Sequence, residues 1–221
     1  MGDVHGCYDT LMDLLKLIPK NAEIIFLGDL VDKGLNSKKV IDFVIEGNYK
    51  CILGNHEKYM LTYIEESLYK SIDNKWSVSD EKYGGKQTLE NYINDDSSLE
   101  KHLDWIKNLP SYILIENYFI THGYGLPYFN RKDDPNYKKQ LMTNRLDKSK
   151  YESEWEDINS HNIINIFGHC AFKEVNIGGK YFGIDTGCVY NNKLTAIELN
   201  SKKIIQVPTH QNDITNVRMF D

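Results

Sequence analysis

Arginine is nearly missing from this chain. It occurs only as Arg131, Arg145 and Arg218, and the remaining basic charge is lysine, so each arginine is worth individual inspection. Positive charge is not in excess: the net charge is −6 and the sequence pI about 5.7. That balance excludes the basic footprint of a nucleic-acid duplex partner. Cysteine is sparse as well. Cys7, Cys51, Cys170 and Cys188 stand far apart with no CxxC pair. The spacing argues against a disulfide framework and fits free thiols in a reducing cytoplasm. No apolar run approaches the roughly 20 residues of a membrane span, and no signal-peptide pattern opens the sequence. The expected setting is cytoplasmic, with neither a membrane nor a nucleic-acid duplex as partner.

What is present suffices for one core. The 221 residues are 41% hydrophobic, show no internal repeat, and read as a single domain over 1–221. After GDVHG, Leu11, Leu14, Leu15 and Ile18 recur at helical spacing, with Asp9 as candidate N-cap and Pro19 past the end. Residues 24–27 read as a short buried strand running into a Gly-Asp turn. Ser37 can cap a second helix with Val40, Ile41 and Val44 on one face. CILGNHE repeats the strand-to-turn pattern, and a third helix is expected over about 57–68. This alternation of strand, loop and helix predicts a parallel sheet whose functional groups gather at the carboxyl ends of the strands.

Residues 70–110 are polar and weakly periodic, and a helical insertion covering one edge of the site is expected there. From Ser111 the runs SYILI, YFITHG, NIINIFGHC, KYFGID and KLTAIEL read as strands of a second, largely antiparallel sheet. The fold class expected is α/β, with two mixed β-sheets packed face to face and helices on the outer faces. If GDVHG also hangs from a strand, that strand precedes Gly2, and the first strand is expected to be missing from this numbering.

The residues at the strand ends form one series: Asp3, His5, Asp29, Asp32, Asn55, His56, His122 and His169. A lone Gly-Asp is an ordinary turn and a lone histidine an ordinary packed residue. Five glycine-flanked turns in order, each after a β-like run, call for a common cause. Oxygen donors mixed with imidazoles suit manganese, iron or zinc better than calcium or magnesium alone. Two metals need a shared carboxylate, and Asp29 stands between the first pair of candidates and the rest. Two such ions lower the pKa of a water and clamp a displacement at phosphorus.

The series GDVHG, GDLVDKG, GNHE, THG, GH resembles the calcineurin-like metallophosphoesterases. More narrowly it is similar to their phosphoprotein-phosphatase branch, which includes bacterial serine/threonine protein phosphatases and symmetrical dinucleoside-tetraphosphate hydrolases. GGKQTLENY (84–92) and IDTGCVYNNKLTAIEL (184–199) extend the likeness, and GHCA lacks the second histidine of the GHxH branches. The resemblance implies that Asp3 and His5 bind a first metal, that Asp29 bridges, and that Asn55, His122 and His169 bind a second. It implies His56 as the general acid and Asp32 as the carboxylate that orients it. Arg145 matches the phosphate-binding arginine, while Lys33 stands where the family has arginine and keeps the charge without the planar fork.

The expected cofactors are therefore two divalent ions, manganese first, with iron or zinc also suited. The expected reaction is hydrolysis of a phosphoprotein by direct attack of a metal-bridging hydroxide. A phosphorylated small molecule or dinucleotide is the alternative substrate, and a metal-binding protein with weak or lost catalysis, acting through a partner, is the rival of another class. Tyr59, Tyr63, Tyr83, Tyr92 and Tyr124 are candidates for stacking on the substrate. Asp185 is expected in a turn, and Cys51 and Cys188 in the core.

Overall fold

Two sheets face each other, and the computed structural model describes them within residues 1–79, 83–147 and 162–215. The first sheet is built in two pieces. Strands β1 (Ile25–Phe26) and β2 (Lys50–Cys51) pair in parallel, and β8 (Lys193–Ile197) and β9 (Ile204–Pro208) pair antiparallel. The chain start joins them. The Met1 amino group donates to the Ile25 carbonyl at 2.8 Å, Leu27 N to Met1 O at 3.0 Å, and Gly2 N to Thr195 O at 2.9 Å. Met1 and Gly2 thus lie between β1 and β8 and aim the loop after them at the site.

The second sheet has the order β3-β4-β5-β7-β6, from β3 (Tyr112–Ile115), β4 (Tyr118–Thr121), β5 (Ile164–Phe167), β6 (Asn176–Gly178) and β7 (Tyr181–Gly183). Its centre is parallel, β4 with β5 and β5 with β7, and only the outer pairs are antiparallel. The largely antiparallel expectation is thereby corrected. Short hairpin turns can link only antiparallel neighbours, and the longer connections around β5 permit parallel pairing. The KLTAIEL run, β8, joins the first sheet instead.

Leu27, Ile52, Ile120, Ile166, Phe182 and Ile184 form the core between the sheets. Helices α1 (Tyr8–Leu15) and α2 (Ser37–Glu46) cover the other face of the first sheet, packing Leu11, Leu14, Val40, Ile41 and Val44 against Phe26, Leu194 and Val207. Beyond the second sheet, Tyr124, Phe167 and Tyr181 pack with Phe172 under a 3-10 turn over Leu126–Arg131.

Two capping expectations fail. Asp9 lies inside the first turn of α1, and the carboxylate serving that helix start is Asp213, which accepts from Asp9 N at 3.0 Å, Thr10 N at 2.7 Å and Thr10 Oγ1 at 2.7 Å. Ser37 is the first residue of α2 and accepts from Asp32 N at 3.1 Å instead of capping. In both places a tertiary partner outcompetes the local one.

Met1 lines a groove of about 430 Å³ together with Leu17, Ile18, Ile24, Ile25, Ile197 and Ile205. An added N-terminal segment of about five apolar residues, at strand rise, would continue the Met1 slot through this groove. Such a variant is expected to melt at least about 3 °C higher and to hold more metal. Equal melting temperature and metal content with and without the segment would contradict this.

Candidate metal centre

Asp29, Asn55, His122 and His169 each sit soon after the end of a strand. Asp29 follows β1, Asn55 opens helix α3 (Asn55–Tyr69) after β2, His122 follows β4 and His169 follows β5. The loops interlock. Val4 N and His5 N donate to Asp29 O at 3.1 and 2.8 Å, and Gly6 N donates to Leu30 O at 2.7 Å. Glu57 accepts from Asp29 N, Leu30 N and Gly54 N at 2.8, 2.6 and 3.0 Å, so one buried carboxylate ties the Gly-Asp turn to the start of α3. A Cβ on Gly168 would stand 2.1 Å from Asp3 Oδ1, which is why the stretch before His169 must be bare.

Five of these residues hold a left-handed backbone: His5 (φ 47°), Asp29 (48°), Asp32 (73°), Lys33 (69°) and His169 (64°). Each such residue costs on the order of 1–3 kcal/mol. Aspartate and histidine are among the side chains that tolerate it best. The surrounding hydrogen bonds offset the strain and aim the side chains.

The donors converge on Asp29. Its Oδ2 lies 3.2 Å from His122 Nε2, 3.7 Å from His5 Nε2 and 3.9 Å from His56 Nε2. Two sets of donors able to hold a metal share it: His5, Asp29 and His56, and Asp29, His122 and His169. Asn55 Oδ1 adds an oxygen 3.1 Å from His122 Nε2 and 2.6 Å from His169 Nδ1. His5 Nδ1 bonds Val31 O and His122 Nδ1 bonds Leu27 O, both at 2.7 Å. An Nδ1–H given to a carbonyl leaves the Nε2 lone pair facing inward, the arrangement of a metal-ligating histidine. Asp3 Oδ2 accepts from His169 N at 3.0 Å, while Oδ1 is buried with no hydrogen-bond partner. A buried orphan oxygen beside converging imidazoles fits a pair of divalent ions.

Without metal the cluster holds protons that metal must displace. Burial works against charge on His122, but Asp29 and Asp3 outweigh it and push its pKa up to about 10. Burial and then His122 push His169 down to about 3. Burial opposes the charge of Asp29 too, yet His122 and His56 hold that carboxyl well below the usual range. Burial and then Asp185 raise Asp3 well above it. The His122 contribution to the metal-free fold is complete below its ordinary value of 6.5 and is lost as pH rises through about 10. Metal needs the neutral ring, so binding near pH 8 is expected to release at least about one proton, with affinity rising as pH rises. Calorimetry in two buffers of different ionisation enthalpy measures this; no proton release would contradict the assignment.

Next to the donors stands a second group. His56 Nδ1 lies 2.7 Å from Asp32 Oδ2, and its ring meets His5 edge-on at 4.6 Å. Lys33 Nζ lies 3.1 Å from His5 Nε2 and 3.3 Å from His56 Nε2, with the Tyr190 ring 5.2 Å away. The cleft holding them measures about 470 Å³ and is also lined by Arg145, Tyr59, Tyr83, Phe172 and Asp185. Asp185 therefore faces the cleft and is more than a turn residue. Arg131 lies on the surface against Tyr128 and Tyr137.

The stacking candidates divide. Tyr59 and Tyr83 meet edge-on at 5.1 Å on the cleft wall. Tyr63 lies under Lys75. Tyr124 and Tyr92 are fully buried, Tyr124 packing with Phe167 and Tyr181, and Tyr92 bonding His102 Nδ1 at 2.7 Å. Those two cannot stack on a ligand.

Sequence reasoning missed three contacts in the 70–110 stretch, which carries helices α4 (Gly85–Glu90) and α5 (Asp96–Lys107). Trp76 Nε1 donates to Asp32 Oδ2 at 2.8 Å, Thr88 Oγ1 donates to Asp32 Oδ1 at 2.8 Å, and Lys33 N donates to Gly84 O at 2.8 Å. A tryptophan inside a polar, weakly periodic segment and the GGKQT stretch that follows it were the available signals.

The family model for calcineurin-like phosphoesterases matches residues 1–198. An asymmetrical bis(5'-nucleosyl)-tetraphosphatase from Oceanobacillus iheyensis is 26% identical, the match covering 96% of this chain and 92% of that protein. A symmetrical bis(5'-nucleosyl)-tetraphosphatase from Methylobacillus flagellatus is 22% identical over 96% of this chain and 95% of its own. Among solved structures, a serine/threonine protein phosphatase from Saccharomyces cerevisiae superposes with a TM-score of 0.63 at 14% identity, covering 98% of this chain and 80% of that one.

Proposed function

The chain belongs to the calcineurin-like phosphoesterase family, and from that premise we propose that it hydrolyses phosphomonoesters of unactivated alcohols, as in phosphoserine and phosphothreonine, with two divalent ions. The Asp32–His56 pair, 2.7 Å apart at the cleft, carries this reading. An alkoxide leaves poorly without a proton, and a histidine positioned by a buried carboxylate is built to give one. Phosphoanhydrides part from a better leaving group and need that proton less.

Asp3, His5 and Asp29 would hold one ion, and Asp29, Asn55, His122 and His169 the other. When bound, such a pair supplies Lewis-acid stabilisation at phosphorus and a water of lowered pKa. Manganese is the metal we assign; iron and zinc suit the same donors. The remaining work falls to the chain. Arg145 and Lys33 bind phosphate oxygens and orient the ester, Lys33 as a point charge without arginine's fork. As the P–O bond breaks, His56 Nε2 gives its proton to the leaving oxygen, water's oxygen joins phosphorus while one of its protons passes to solvent, and solvent returns a proton to His56. Asp32 keeps the ring aimed throughout.

A second reading is cleavage of dinucleoside tetraphosphates. The names of the two relatives favour it, and Tyr59, Tyr83 and Phe172 on the cleft wall could stack on a base. Parallel turnover of a phosphothreonine peptide and diadenosine tetraphosphate by the manganese-loaded protein, with a metal-stripped control, separates the two. Preference for the peptide, lost on stripping, supports the first reading. Preference for the dinucleotide replaces it with the second.

A further inference from the structure

Asp32 is fully buried, and its contacts go beyond His56. Oδ2 is shared between His56 Nδ1 and the Trp76 indole N–H, and Oδ1 accepts from the Thr88 hydroxyl. Thr88 Oγ1 also accepts from Asp32 N at 2.9 Å, closing a ring around the residue. The backbone there is doubly strained, since Asp32 and Lys33 are consecutive left-handed residues. Lys33 N is held by Gly84 O.

The GGKQT stretch reads as the shape of this clamp. Gly84 is itself left-handed (φ 70°), and a Cβ on it would stand 2.5 Å from Lys33 N. A Cβ on Gly85 would fall 2.3 Å from the Trp76 ring. Two bare positions let the tryptophan cross the start of α4 and let Lys33 approach. An indole N–H can only donate, so Trp76 takes no part in proton transfer. A donor on each carboxylate oxygen stops the group from rotating away from His56.

We infer that Trp76 and Thr88 are positioning residues that fix the Asp32 carboxylate toward His56 and so set the aim of the proton donor. The inference rests on the proposed acid role of His56. A residue that merely packed would lower turnover of all esters alike. A residue acting through the acid should matter most where the leaving group needs a proton.

The experiment compares the metal-loaded wild type with Trp76→Phe, Thr88→Val and Thr88→Ser, on a phosphoserine peptide and on 4-nitrophenyl phosphate, whose phenolate leaves unprotonated. Trp76→Phe and Thr88→Val are each expected to lower the peptide-to-aryl ratio of kcat by about tenfold, as small misplacements of catalytic groups do. Thr88→Ser, which keeps the hydroxyl, should recover most of the loss. In an Asp32→Asn background Trp76→Phe should change the ratio no further, since residues acting as a unit are non-additive. The low-field proton resonance of the His56 Nδ1–H, read on zinc-loaded protein, should shift in both clamp variants. Equal losses on the two esters, or an unmoved resonance, would overturn the clamp. If the wild type cleaves neither ester, the acid reading fails instead, and the resonance alone judges the clamp.

Discussion

Replacing His56 with alanine is expected to lower turnover of an unactivated phosphomonoester by about 10²–10⁴-fold, the range general acid catalysis contributes, while both metal ions stay bound. The expectation is sharp because the geometry offers a competing role. His56 Nε2 points toward Asp29 Oδ2, 3.9 Å away, and joins His5 and Asp29 in a set that could hold an ion. Its Nδ1 has a different kind of partner from that of His5 and His122. His5 and His122 give Nδ1 to backbone carbonyls, whereas His56 gives Nδ1 to a buried carboxylate. Metal analysis of the variant decides. Two ions retained with turnover lost support the acid; one ion lost makes His56 a ligand, and an unchanged rate removes it from the mechanism.

Replacing Asp29 with alanine is expected to abolish metal binding at both positions and activity with it. Second-shell changes at metal sites already cost about 10–100-fold in affinity, and Asp29 is the one residue common to both donor sets. Its loss also removes the one carboxylate oxygen among the described residues that lies within 3.9 Å of His5, His56 and His122 together. The same change removes the acceptor for His56 N, which donates to Asp29 Oδ1 at 2.9 Å. Asp29→Asn keeps the shape and half of the acceptors, so it should lose metal with a smaller loss of stability. Metal content and a thermal melt of both variants test this. Retention of two ions by Asp29→Ala would show that the histidines and Asn55 suffice, and would sink the shared-carboxylate arrangement.

The sites most legible in the sequence were those where the chain hands over from strand to loop. GDVHG, GDLVD, GNHE, THG and GH could be read because the constraint is local. A short turn must present a donor, and in GDVHG, GDLVD and GH it also holds a left-handed residue, which only a few residue types do. The helices α1 and α2 were legible for the same reason, through the spacing of Leu11 and Leu14 and of Val40, Ile41 and Val44.

Other features were decided at long range. The Asp9 and Ser37 caps failed because Asp213 and Asp32 offered better partners from elsewhere in the chain. Tyr92 and Tyr124 could not be told from Tyr59 and Tyr83 by residue type, since burial is set by which sheet or helix covers them. Composition, periodicity and turn chemistry by themselves determined the α/β class and the series of candidate side chains at the strand ends, because both follow from neighbours a few residues apart. Only the tertiary structure decided how close each candidate donor comes to Asp29, that the second sheet is parallel at its centre, and that Trp76 and Thr88 hold Asp32. Those are distances between segments the chain brings together at its own cost in conformational entropy, and no local pattern encodes them.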